Sequence, residues 1–304
     1  MSRLFGCFIL SFALAGPGVM AQQLKPGLEG MTPSKWIRLE TTHAPGRIYC
    51  ANGGAYKEYQ QQDLYFKVYL PVFHKPNFTL MLGPSYRVEQ FQLDDEEDAA
   101  ENPLHRMSDW SLRSLGVDIK ALNKLNDAAW LMTNLNINQS GNLRDDDVHA
   151  PLNYTLSAVY LKKQSTYKEV GVGFMVNRSF GKIVAFPAFV FNYNFSQKVG
   201  LEVMLPRRVA LRYNMSPSDI LLLKADALSR SYYINDTNTH YEFRRTELDL
   251  GLEYHKQLGS LVGVELFGGY RQNISTRLPN EISAVKTSGL VCSVGLYVKP
   301  PVKR

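Results

Sequence analysis

Beyond its first 21 residues, the 304-residue sequence holds no uncharged apolar run near the roughly 20 positions that a membrane-spanning helix needs. That excludes a helical membrane protein, and the mean hydropathy of −0.21 agrees. Its 3 cysteines form no paired CxxC spacing, so zinc-ribbon and dithiol chemistry lack their ligands. There is no phosphate-binding loop, no GxGxxG opening a helix and no HExxH, which removes the usual nucleotide and zincin sites. An excess of one charge sign is also missing. Removing residues 1–21 takes out Arg3 alone, leaving 33 of the 34 basic residues against 28 acidic ones. That balance is too mild and scattered for a nucleic-acid partner. The histidines His43, His74, His105, His149, His240 and His255 never fall at i, i+2 on one strand face. The acidic runs Asp94–Asp98 and Asp145–Asp147 lack the glycine-punctuated spacing of a calcium loop and read as solvated loops. No cofactor and no metal are expected.

Residues 1–21 carry the parts of a secretory leader: Arg3, the short apolar core Leu4–Ala15, and a small-residue site ending at Ala21, where cleavage is expected. Cys50 and Cys292 are the cysteines of the mature chain, and barrel closure offers them a chance to pair. Cys292, however, alternates in phase with Leu290, Val294 and Leu296, as a lipid-facing residue does.

What the sequence has in abundance is alternation. Arg245, Glu247, Asp249, Glu253 and His255 interleave with Leu248, Leu250, Leu252 and Tyr254, and similar segments recur to Val298. A period of two behind a leader is the pattern of a transmembrane β-barrel, with one face in lipid and the other polar. The segments predict strands at 35–43, 60–72, 77–92, 112–123, 128–138, 153–162, 168–178, 182–194, 198–205, 207–215, 220–234 (bending near Ala227), 240–256, 261–273 and 286–298. Short connections fall on one side and the long ones, at 44–59, 94–111, 139–152 and 274–285, on the other. This sorting is that of an up-and-down barrel with short periplasmic turns and long external loops. Tyr65, Tyr69, Phe91, Phe195, Tyr213, Tyr232, Tyr233, Tyr270 and Tyr297 lie near strand ends, as membrane-interface aromatics do.

With the polar face inward, the candidate lumen-lining residues are Lys67, Arg87, Glu89, Asp118, Lys120, Glu202, Arg208, Arg212, Lys224, Asp226, Arg245, Glu247, Asp249, Glu253, Glu265 and Arg271. Their signs balance. Isolated interior charges are costly, so balanced signs on adjacent strands point to ion-pair ladders. A ring of one sign would instead point to an ion filter.

The segments Leu205–Tyr213, Ser231–Ile234 and Tyr241–Leu248 resemble an uncharacterised family of outer-membrane β-barrels common in Bacteroidota. The resemblance implies a barrel in the outer membrane and brings no catalytic residues. Many such barrels end on an aromatic residue read by the assembly machinery; here Tyr297 is followed by Lys299–Arg304.

The expected organisation is a leader at 1–21, a short periplasmic segment at 22–34, an all-β antiparallel barrel of 12–14 strands at 35–298, and a basic tail at 299–304. The expected location is the cell outer membrane of a Gram-negative bacterium, with lipid and the barrel-assembly machinery as partners. The expected function is a narrow or plugged channel or a surface scaffold, without catalysis. A hydrophobic-solute transporter is the first alternative. It requires an N-terminal plug, for which only Gln22–Pro33 is available, a short piece for that task. A membrane-embedded hydrolase or a soluble exported β-sandwich binding module are the others. Ser293 and His255 both lie on strands, but nothing in the sequence brings them together.

Overall fold

Strict alternation leaves each strand with one apolar face and one polar face, and a sheet of such strands can enclose one face, with no open edge, by closing on itself. The computed structural model describes residues 26–49, 57–93, 112–142, 150–179, 182–236, 239–277 and 288–300 and shows that closure. The strands are β1 (Ile37–Tyr49), β2 (Lys57–Val68), β3 (Leu70–Lys75), β4 (Phe78–Leu93), β5 (Leu112–Asn126), β6 (Ala129–Gly141), β7 (Asn153–Ser165), β8 (Lys168–Ser179), β9 (Lys182–Asn194), β10 (Val199–Leu205), β11 (Arg208–Ser216), β12 (Asp219–Asp236), β13 (Thr239–Gln257), β14 (Val262–Arg277) and β15 (Gly289–Val298). Only Tyr69 separates β2 from β3, and both pair with β4, so they act as one stave. The result is an all-β, closed, antiparallel barrel of fourteen staves, sealed where β1 pairs with β15. A soluble sandwich of two sheets is thereby ruled out.

The outer face is apolar. Leu39, Leu64, Phe66, Leu115, Val172, Leu211, Leu223, Leu250, Leu252, Leu266 and Val294 are all exposed. Cys292 is exposed in phase with Leu290 and Leu296, and Cys50 lies outside the described residues. The longer connections all lie at one end, together with the brief links after β8, β10 and β12, while every connection at the other end is short; these are called below the long-loop and short-turn ends.

Two features depart from a regular cylinder. The hairpin β10–β11 is short: β9 pairs with β10 only over Phe189–Asn194, and β12 pairs with β11 only over Asp219–Asp226. Beyond Asp226 the long-loop half of β12 continues on β13 alone and then leans across the barrel. There Tyr233 bridges Gly141 of β6, although β7 to β11 lie between them in the sheet. Asn142 N donates to the Tyr233 carbonyl at 3.3 Å, an approach that a Cβ on Gly141 would block. The parting of β12 from β11 begins beside Ala227, where the sequence predicts a bend.

Several expectations lie outside the described residues: the leader and its cleavage site, the acidic runs at 94–98 and 145–147, His105, His149 and the last residues of the basic tail.

Candidate functional site: the barrel interior

The interior is packed in layers, beginning at the short-turn end. Residues 26–36 do not hang free as a separate periplasmic segment; they fold into the barrel mouth. Gly27 (φ 98°) and Gly30 (φ 74°) supply the left-handed turns that double this stretch back on itself. Gly27 N donates to Glu169 Oε1 at 2.8 Å, and Thr32 donates to both oxygens of Glu202, at 3.2 Å from N and 3.0 Å from Oγ1. Asn194 Nδ2 donates to the Glu29 carbonyl at 3.0 Å, and Arg212 to that of Gly30. On the opposite side Lys35 pairs with Glu265. The segment therefore reaches from β8–β11 to β14, across the mouth. Its shortness is offset by dense polar anchoring to buried wall residues.

Above it lies a first charged layer. Arg208 forms a bidentate pair with Asp226 (2.5 and 2.8 Å), and Lys224 bridges Asp226 (2.9 Å) and Glu253. His255 Nε2 meets Glu253 at 2.6 Å, with Nδ1 3.5 Å from Glu265. On the facing wall Lys67 pairs with Asp118, and both Lys67 and Lys120 stand over the Tyr69 ring, at 4.7 and 4.2 Å.

The second charged layer crosses the barrel. Arg230 of β12 reaches Asp63 of β2 at 2.6 Å and Glu89 of β4, and Arg245 of β13 also reaches Glu89. Arg245 lies 3.4 Å from Glu247 and Arg271 3.7 Å from it, while Arg271 grips Asp249 at 2.6 and 2.8 Å. Arg87 stands 3.8 Å from Asp63. Over this layer sits an aromatic cluster. Phe91 meets Phe243 edge-on (6.3 Å), with Tyr59 and Tyr232 at either flank, all buried. The Arg245 guanidinium lies 5.3 Å from the Phe91 ring centre.

All sixteen residues singled out from the sequence are buried or half-buried in these layers. Fifteen of them join ion pairs; among the described residues Lys120 has only its aromatic contact. Sequence reasoning missed Asp63, Glu169, Arg230, Lys35 and the role of His255. Asp63 shares parity with Lys67, and Arg230 with Lys224, so counting parity further along each strand would have found both. The aromatic assignment needs correction. Tyr65, Tyr69, Phe91, Tyr232 and Tyr297 share the face of the buried charges: Tyr65, Tyr69, Phe91 and Tyr297 cover guanidinium or ammonium groups, and Tyr232 stacks on Phe243. Phe195, Tyr213 and Tyr270 do face outward.

Residues 110–281, more than half of the chain, match the family described as Domain of unknown function (DUF6268). The chain belongs to this family. No curated protein matches the sequence. Solved structures similar to the chain include an outer membrane channel from Pseudomonas putida F1, at 11% identity and TM-score 0.46, covering 91% of this chain and 100% of that one. The toluene transporter TodX of P. putida matches at 6% identity and TM-score 0.41, over 90% and 92% of the two chains. The translocator domain of the autotransporter NalP from Neisseria meningitidis matches at 12% identity and TM-score 0.41, over 89% and 90%. Among the described residues no cluster of histidine, cysteine and carboxylate side chains has the make-up of a metal site.

Proposed function

We propose that this protein is a non-catalytic barrel of the Gram-negative outer membrane, closed along its axis by its own side chains and N-terminal segment. The membrane reading rests on the continuous apolar outer face, which in water would be a very large exposed patch. The supporting sequence features are the leader and the resemblance to barrels common in Bacteroidota; lipid and the barrel-assembly machinery are the partners this reading implies.

One observation carries the axial closure: Arg230 and Arg245 reach across the interior to Asp63 and Glu89. Guanidiniums fixed by carboxylates from the opposite wall occupy the space an ion would need, and their balanced charge offers no selectivity. A hydrolase finds little support, since His255 is engaged by Glu253 and faces Glu265.

A second reading, a hydrophobic-solute transporter, is favoured by the segment 26–36, which supplies the plug such a protein requires. Liposome swelling separates the two states of the axis. Proteoliposomes of the wild type should not swell in small sugars, whereas deletion of residues 26–34 combined with Arg230→Ala and Arg245→Ala should permit swelling. Rapid swelling with the wild type would overturn the closed-axis reading.

A further inference from the structure

Beside the hairpin β10–β11 the wall is incomplete. Leu205, the last residue of β10, pairs with Phe189 of β9, while the outward residues of β9 stay apolar well beyond it, through Pro187, Ala185 and Ile183. The hairpin tip, Pro206 and Arg207, therefore stands about halfway up the apolar belt. Above the tip, where Ala227 N still donates to the Arg207 carbonyl at 2.7 Å, residues 182–188 of β9 have β8 on one side only, and residues 228–232 of β12 have β13 on one side only, among the described residues. Because β12 slants away to meet β6, a gap opens between these two edges and leads into a trough. Alternation places Val184, Phe186 and Met175 on the wall of this trough formed by β8 and β9, and Val184 and Phe186 are 41% and 42% exposed. The facing side of β12 presents Ala227, Ser229 and Ser231, where the same face lower down carries the apolar Leu223.

Two physical facts select an occupant. Unpaired backbone donors and acceptors do not face bare hydrocarbon, so a purely apolar filling is excluded. Arg207 is exposed at the floor of the gap, and its guanidinium has no ion-pair partner among the described residues. An unpaired arginine inside the apolar belt is costly and draws an anionic partner. We propose that the gap is a lateral entrance, and the trough a site, for an anionic single-chain amphiphile. Its acidic head meets Arg207 and the open strand edges, and its tail lies over Val184 and Phe186. The inference rests on the membrane reading above but needs no axial pore.

The test replaces Cys7, Cys50 and Cys292 by serine in the full chain and introduces Phe186→Cys, Ser229→Cys, Leu250→Cys or Gly259→Cys singly. Each is labelled with bimane, and quenching is measured in vesicles with doxyl-stearic acid, its methyl ester or a doxyl phosphatidylcholine. The labels at positions 186 and 229 should be quenched roughly tenfold more effectively by the acid than by the ester, the effect of one charge-assisted hydrogen bond. Arg207→Gln should abolish that preference. The label at position 250 should be quenched by all three and the label at 259 weakly by any. Quenching at 250 with none at 186 and 229 would sink the lateral site alone. Equal quenching there by acid, ester and phospholipid would mean that ordinary bilayer lipid fills the gap, which also overturns it. No quenching at 250 would instead bring down the membrane reading.

Discussion

Replacing Glu89 by alanine should loosen the barrel more than its chemistry suggests. The side chain is fully buried, at 0% exposure, and it accepts from Arg230 and Arg245, which come from strands on the other side of the interior. Deleting one partner of a buried pair strands the other charge, at a cost of ~3–5 kcal/mol. Here both guanidiniums keep a second carboxylate, Asp63 at 2.6 Å for Arg230 and Glu247 at 3.4 Å for Arg245. The loss should therefore fall at the low end, about 3 kcal/mol, roughly a hundredfold in the folding equilibrium. Glu89→Gln keeps the shape and one acceptor and should lose about half as much. Urea titration of the refolded protein in vesicles reads both as shifts in midpoint at constant slope. A Glu89→Ala midpoint indistinguishable from wild type would refute the cross-barrel pairing.

Three further outcomes follow from the same geometry. Leu250→Arg, on the exposed face opposite the buried Asp249, should cost ~2–4 kcal/mol in a bilayer, and Asp249→Asn should also destabilise because Arg271 loses its bidentate partner. Small effects at both positions in the urea assay would count against an outer face in lipid. Single cysteines at Ala99 and Asn280, in connections at the long-loop end, should react with an impermeant maleimide on intact cells, whereas one at Gly259 should not; the reverse pattern would invert the topology. Glu202→Ala removes the acceptor for Thr32 and the partner of Arg212, so limited proteolysis should trim the N-terminal segment faster than in wild type. An unchanged rate would show that the segment is held by other contacts.

The strand ladder was legible because alternation is a local signal. Leu248, Leu250 and Leu252 against Glu247, Asp249 and Glu253 assign both faces without any knowledge of neighbours. The balance of interior charge was legible for the same reason. Partner choice was not. Glu89 and Arg245 are 156 positions apart in sequence and five staves apart around the wall, and nothing local records that the barrel is narrow enough for them to touch. The inward aromatics were misplaced because a tyrosine near a strand end serves a membrane interface and a cation equally well. Position along the strand leaves that choice open, while the parity of Tyr65 with Lys67 decides it. The plug was underrated by length, whereas its hold comes from Glu169, Glu202 and Glu265, buried acceptors distributed over the wall. The parting of β12 from β11 had one local trace, the run of small residues from Ala225 to Ser231 on its outer face.

Single-channel recording in planar bilayers tests the closed axis most directly. The wild type should give no steady openings, and the variant lacking residues 26–34 with Arg230→Ala and Arg245→Ala should give resolvable ones with little preference between cation and anion. A large, steady and ion-selective conductance from the wild type would contradict the account and mark the protein as an open porin.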